Sequence, residues 1–288
     1  MSYSWQIQTL IVEDEQAPTE NYREIFKGLA GVAPPVFAPS FDEAAKQLAS
    51  SSIFHLVIID LGLPQATHEA AQQGVEPGIE VLHRAAGRED YPIPAVLVIS
   101  GRLGQTRYQL QETLMQDFWF GRAVNKGIDE FDAIEAALLK VHEYCGVGIH
   151  MRDGSGKLCP TLSPREEDLL RRCALGQQHC IGLNLEWWGA YHGNSLPARV
   201  ADVSATKVLM GRFLLRDGRE SSRPTFFKFE ASETAAFSHQ DTAVMVQKLS
   251  HVKLCTAMRA SSRSLLVTQQ VGESSARPIS LAEFLAAC

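Results

Sequence analysis

The run His55-Leu56-Val57-Ile58-Ile59-Asp60 is almost continuously apolar and stops on a carboxylate. Three further runs in the first half behave alike: Leu10-Ile11-Val12 stops on Glu13 and Asp14, Ala95-Val96-Leu97-Val98-Ile99 on Ser100, and Arg122-Ala123-Val124-Asn125 on Lys126. Such runs suit strands buried on both faces, the habit of parallel sheets. Strand-like segments near 7–12, 35–38, 55–60, 95–100 and 122–125 alternate with helical periodicity near 15–29, 41–50, 78–87, 104–117 and 129–144. This five-fold alternation predicts an α/β fold with a central parallel sheet covered on both sides. Ser40-x-x-Glu43 reads as a capping box for the second helix.

If the runs are neighbouring parallel strands, their carboxyl ends share one edge of the sheet, where open α/β folds place their ligands. Glu13, Asp14 and Asp60 then converge and repel one another unless a cation lies among them. Mg²⁺ suits hard oxygen ligands and leaves positions for phosphate oxygens. Asp60 is placed to act as nucleophile toward a phosphoryl group, Lys126 to neutralise developing charge, and Ser100 to hydrogen-bond the transferred group.

The acidic pair after the first strand, the Asp60-x-x-x-Pro64 spacing, the strand-end hydroxyl Ser100 and the strand-end lysine Lys126 resemble a bacterial response-regulator receiver domain over residues 5 to 145. The resemblance implies a flavodoxin-like (βα)5 fold for residues 1–145. It also implies Asp60 as phosphoacceptor, and Mg²⁺ held by Asp14, Asp60 and the carbonyl of Gly62 with help from Glu13. Ser100 and Lys126 would be the switch pair. A sensor histidine kinase or phosphotransfer protein would be the upstream partner, and the chain a phosphoacceptor rather than an enzyme.

Three features depart from the usual receiver pattern. Gln65 to Pro77 is longer than the family's link into the third helix; it reads either as a gate over Asp60 or as a surface insertion, with His68, Glu69 and Glu76 solvated. Gly127 stands where receivers place a proline, which predicts a less fixed loop and a less well aimed Lys126. Ala123 stands where a switching aromatic is usual, with Phe118, Trp119 and Phe120 just upstream as core packing or substitutes. In the last helix Phe131, Ile134, Leu138 and Val141 form one stripe, core-facing or dimer-facing.

With 288 residues the chain has room for two domains. Residues 1–150 carry 10 Lys and Arg against 20 Asp and Glu, a net of −10, while residues 151–288 carry 17 against 13, a net of +4. That +4 is too weak to imply nucleic acid. No apolar run is long enough to span a membrane, and the amino terminus enters the first strand without a cleavable leader, so the expectation is a cytoplasmic protein. The six cysteines, Cys145, Cys159, Cys173, Cys180, Cys255 and Cys288, show no Cys-x-x-Cys pair and read as reduced thiols.

Glycines at 146, 148, 154 and 156 suggest a linker over 146–160, followed by a smaller α+β domain with a mainly antiparallel sheet over 161–288. Ser163, Pro164 and Glu166 start a capped helix ending near Gly176. This opening resembles the start of a helix-turn-helix output domain, which keeps a DNA-binding regulator as an alternative. Gln177 to Ser195, with Trp187 and Trp188, does not continue that match. The order of elements beyond it faintly resembles the amino-terminal lobe of kinase-like and aminoglycoside-phosphotransferase-like folds. It comprises a hairpin across Asp217-Gly218, a helix near 233–249, strands near 251–258 and 264–271, and a helix starting at Ser280. On that resemblance Lys228 is the candidate nucleotide-contacting lysine, with Glu233 or Asp241 as its acidic partner. No glycine-rich phosphate loop precedes Lys228 and no Asp-Phe-Gly motif occurs, so the expectation is a protein-binding module rather than an active kinase.

Overall fold

The computed structural model describes residues 6–63, 77–88, 90–101, 103, 110–111, 114, 118–127, 129–152, 162–187, 207–231, 252–260 and 263–270. They fall into two compact units, Met1–Cys145 and Gly146–Cys288.

In the first unit the apolar runs are strands: β1 (Thr9–Val12), β2 (Val36–Ala38), β3 (Leu56–Ile59), β4 (Ala95–Ser100) and β5 (Gly121–Asn125). They form one parallel sheet in the order β2-β1-β3-β4-β5, the flavodoxin-like arrangement. Every residue of β1, β3 and β4 is buried, because helices cover both faces. Ile11, Leu56, Ile58, Leu97 and Ile99 join a core with Tyr22 and Phe26 of α1 (Gln16–Phe26) and Ile134, Ala137 and Val141 of α4 (Glu130–Cys145). Strand alternation sends Leu10, Val12, Val57, Ile59, Val96 and Val98, also buried, to the opposite face. Two helices lie between: α2 (Phe41–Ala49) and α3 (Pro77–Ala86). Ser40 Oγ accepts the Glu43 N–H at 3.3 Å, one of the two bonds of the expected capping box. Of the stretch 104–117, Leu110, Gln111 and Leu114 are described, and all three are helical.

The stripe is core-facing except at one residue. Ile134, Leu138 and Val141 are buried, but Phe131 is 58% exposed. The buried arc of α4 runs through Ala133, Ala137 and Val141, and at 100° per residue Phe131 falls beyond its margin.

The second unit has a six-stranded sheet in the order β10-β11-β9-β8-β7-β6. Its strands are β6 (Gly148–Arg152), β7 (Cys180–Trp187), β8 (Lys207–Leu215), β9 (Thr225–Ala231), β10 (Val252–Ala260) and β11 (Arg263–Gln270). All neighbours are antiparallel except the β6–β7 pair. The β8–β9 hairpin turns at Asp217-Gly218 as expected: Gly218 has φ +79°, and Asp217 Oδ1 accepts the Arg219 N–H at 3.0 Å. α5 (Pro164–Leu175) begins with the full Ser163–Glu166 capping box and buries Leu169, Leu170, Cys173 and Ala174 beside the sheet.

One expectation and one alternative for this half fail. Residues 148–152, assigned to the linker, form β6, paired in parallel with β7; at the Gly148–Gly182 pair the backbones lie so close that a Cβ on Gly182 would meet the Gly148 carbonyl oxygen at 2.7 Å. The helix-turn-helix alternative needs a second helix soon after α5, and β7 stands there, with Leu183 and Leu185 buried while Glu186 is exposed. The expected helices near 233–249 and from Ser280 lie outside the described residues.

Candidate functional site

The sheet's hydrogen-bond ladder continues one step past the strand ends. Glu13 N–H donates to Ala38 O at 3.2 Å, Asp60 N–H to Val12 O at 3.0 Å, and Lys126 N–H to Ser100 O at 3.2 Å. Register alone therefore brings Glu13, Asp60, Ser100 and Lys126, far apart in sequence, to one edge. The site lies where the chain order reverses across β1, the position at which open α/β sheets bind ligands.

Lys126 crosses the strand ends to meet three carboxylates. Its Nζ lies 2.9 Å from Asp60 Oδ2, 3.0 Å from Glu13 Oε2 and 3.1 Å from Glu15 Oε2. Asp60 Oδ1 accepts the Gly62 N–H at 2.8 Å, and the Ser100 hydroxyl donates to the same carboxylate. Glu13 Oε1 accepts the Glu15 N–H at 3.1 Å. Glu13, Asp60 and Ser100 are buried, while Asp14 is exposed at the mouth.

Burial and bonding set these carboxylates apart. Burial would raise Asp60, but the Gly62 N–H, Lys126 and Ser100 outweigh it and hold its carboxyl below the ordinary value. For Glu13 burial wins over the Lys126 and Glu15 contacts, and its pKa is raised. Lys126 is pushed up: burial opposes this, and its bonds to Asp60, Glu13 and Glu15 prevail. Burial also raises the Tyr22 phenol, beneath the same charges. Asp60 thus stands as an ionised, hydrogen-bonded carboxylate within reach of a cation.

Against Lys126 stand Glu13, Asp14, Glu15 and Asp60, an excess of negative charge. One oxygen each from Glu13, Asp14 and Asp60 lie within 4.8 Å of one another. Three hard oxygens at that spacing fit an oxygen-seeking divalent cation such as Mg²⁺.

Of the three departures, one lies largely outside the described residues: of Gln65 to Pro77 only Pro77, the first residue of α3, is described, so His68, Glu69 and Glu76 are not. Gly127 has φ +80° and donates its N–H to Glu130 Oε1 at 2.6 Å, so a left-handed turn closed by Glu130 fixes the loop that a proline fixes elsewhere. The expected loss of aim in Lys126 is not seen. At Ala123 no side chain reaches the core as a switch; instead Gln111 clamps the edge strand, accepting the Ala123 N–H at 3.1 Å and donating to Gly121 O at 2.8 Å. Phe118 is buried; Trp119 stacks on Tyr144 with centroids 4.3 Å apart and donates to Ile93 O. The aromatic triplet is core packing.

Sequence reasoning missed Glu15, although the third acid of Glu13-Asp14-Glu15 was in view. It also missed the packing against Gly78, where a Cβ would lie 2.8 Å from Leu61 Cα and 2.9 Å from Asp60 O. α3 rests directly on the backbone that carries Asp60. Lys228 belongs to the second unit, on β9 opposite Val208 and Leu266, and alternation puts it on the face away from the buried Phe227 and Phe229. Its expected partners Glu233 and Asp241 lie outside the described residues. Among those residues no helix is long and apolar enough to cross a membrane.

No family model matches the chain, and no curated protein matches it. Solved structures similar to it include a response regulator receiver domain from Methylobacillus flagellatus, 20% identical, covering 47% of this chain and 98% of that one with a TM-score of 0.35. Another is the signal receiver domain of an HD domain-containing protein from Pseudomonas fluorescens Pf-5, 21% identical, covering 48% and 98% with a TM-score of 0.36. A structure described as adenylate cyclase from Rhodopirellula baltica is 18% identical, covering 48% and 90% with a TM-score of 0.35.

Proposed function

We propose that the first unit is the receiver of a two-component signalling protein, phosphorylated on Asp60 by a histidine kinase or phosphotransfer protein. The second unit would act as a protein-binding output, and the chain would be a cytoplasmic phosphoacceptor rather than an enzyme. The observation that carries this reading is the convergence of Lys126 and Ser100 on the ionised Asp60 beside the acidic pair Glu13 and Asp14.

An Asp60 oxygen attacks phosphorus as the P–N bond of a phosphohistidine breaks, and the imidazole nitrogen leaves with the electron pair. Asp60 is already ionised, so no base is needed. Lys126 offers charge and an N–H to the transferred group, and Ser100 a hydroxyl. Mg²⁺ held by Asp14, Asp60, Glu13 and the Gly62 carbonyl would supply charge neutralisation for phosphate oxygens. Incubation with a small phosphodonor and Mg²⁺ is expected to give an acid-stable, base-labile adduct, absent from Asp60→Asn. Equal labelling of that variant would refute the reading.

A further inference from the structure

Lys126 has three N–H donors and meets three carboxylates, so its hydrogen-bonding capacity is already committed. A phosphoryl oxygen arriving at Asp60 can take a donor from Lys126 only if one carboxylate lets go. Asp60 is the acceptor itself. Glu13 has a side chain only 2% exposed, and losing Lys126 would leave it a buried, uncompensated charge. Glu15 has a side chain 64% exposed and passes into water at little cost.

The backbone of Glu15 is meanwhile fixed. Its N–H is bonded to Glu13 Oε1, and its carbonyl accepts Thr19 N–H at 3.3 Å and Thr19 Oγ1 at 2.9 Å. Glu15 is also the N-cap residue of α1, yet its side chain makes no capping bond. Short acceptors such as aspartate, asparagine and serine are the usual caps at that position, and the longer glutamate side chain is free to reach further. Here Pro18, third in the helix, has no N–H to offer, and the Glu15 side chain reaches to Lys126 instead.

We propose that Glu15 is a positioning residue that occupies a Lys126 donor in the resting protein, yields it to the incoming phosphoryl group, and so restrains the rate at which Asp60 is phosphorylated. The inference rests on the receiver reading given above. As the bond from Asp60 oxygen to phosphorus forms and the bond from phosphorus to the donor's leaving group breaks, the freed Lys126 N–H passes to a phosphoryl oxygen. Glu15 swings into solvent. No proton leaves Lys126.

The test measures phosphorylation of the full chain by acetyl phosphate with Mg²⁺, as rate against phosphodonor concentration, for wild type, Glu15→Gln and Glu15→Ala. Removing an exposed ion pair that competes for the lysine is expected to raise the second-order rate about two- to fivefold at low ionic strength. The gain should shrink toward unity near 1 M salt, where screening acts within about 3 Å. A merely structural Glu15 would not produce that salt profile. Wild-type or slower rates in both variants, with Asp60 labelled normally, would overturn the inference while leaving the receiver reading intact. Wild-type protein that takes no phosphate on Asp60 would overturn both.

Discussion

Lys126→Met removes the cation that Asp60, Glu13 and Glu15 share and keeps most of the apolar stem of the side chain. At 2.9 Å, in an effective dielectric of about 20, the Lys126–Asp60 attraction alone is about 6 kcal/mol before desolvation is counted. Desolvation offsets most of it. The measurable effect is the cost of stranding Glu13 and Asp60, which are 3% and 8% exposed. Removing one member of a buried ion pair costs about 3–5 kcal/mol. The 19% exposure of the Lys126 side chain brings the expectation down to about 2–4 kcal/mol. With a urea slope near 2 kcal/mol/M, the unfolding midpoint should fall by about 1–2 M in the presence of a chelator.

The pH dependence gives an independent check on the cause. In the intact protein the Asp60 carboxyl lies below its ordinary value, so its contribution is present above the unfolded pKa and is lost as pH falls through the folded one. Glu13 is raised by burial, so its contribution is fully present below the unfolded pKa and lost as pH rises through the folded one. Without Lys126 both carboxyls are raised. Acidification from pH 7 toward pH 5 then neutralises them in the folded variant, and the stability gap to wild type narrows. Millimolar Mg²⁺ at pH 7 narrows it too, by placing a cation among the same oxygens. A variant as stable as wild type at pH 7 without divalent ions, or a gap that widens toward pH 5, would refute the reasoning.

Two backbone substitutions probe what holds the cluster in place. Gly78→Ala puts a methyl group 2.8 Å from Leu61 Cα, so α3 or the Asp60–Leu61 backbone must shift; a loss of about 1–3 kcal/mol in urea unfolding is expected, with slower labelling of Asp60. Gly127→Pro restores the residue usual in receivers, yet proline cannot adopt φ +80° and lacks the N–H that reaches Glu130. It should destabilise by more than about 1 kcal/mol, and a rise in the unfolding midpoint would contradict the left-handed turn.

The strands were legible because burial on both faces writes a continuous apolar run, and the site because each run stops on a residue of distinct chemistry. Side-chain reach was not legible. Nothing in Glu13-Asp14-Glu15 says which acids meet Lys126, because that depends on where β1 ends and α1 starts. β7 was hidden by the helix-turn-helix look of Thr161 to Glu167, although the alternation of Leu183 and Leu185 with Asn184 and Glu186 is a strand signal. Glycines misled most. Gly148 was read as linker, whereas it lies in a strand and faces Gly182, where a Cβ would meet its carbonyl oxygen at 2.7 Å.

Ala123 and Gly127 read in sequence as deficits, an aromatic lost and a proline lost. In the fold each is matched by a polar contact from elsewhere: Gln111 on the β5 backbone, Glu130 on the Gly127 N–H. The residues that meet at the sheet edge need only the register that carries the ladder one step past β3 and β5, and neither departure touches that register. On the proposed receiver reading, what the departures alter is the link outward from Ser100 and Lys126. A ring swinging into a core gap is unavailable at Ala123, so any movement of Lys126 passes into a loop whose shape depends on one carboxylate, Glu130, at the first turn of α4. Structural response to phosphorylation is therefore expected first in the β5–α4 loop and the start of α4, rather than in the aromatic packing of Trp119 and Tyr144.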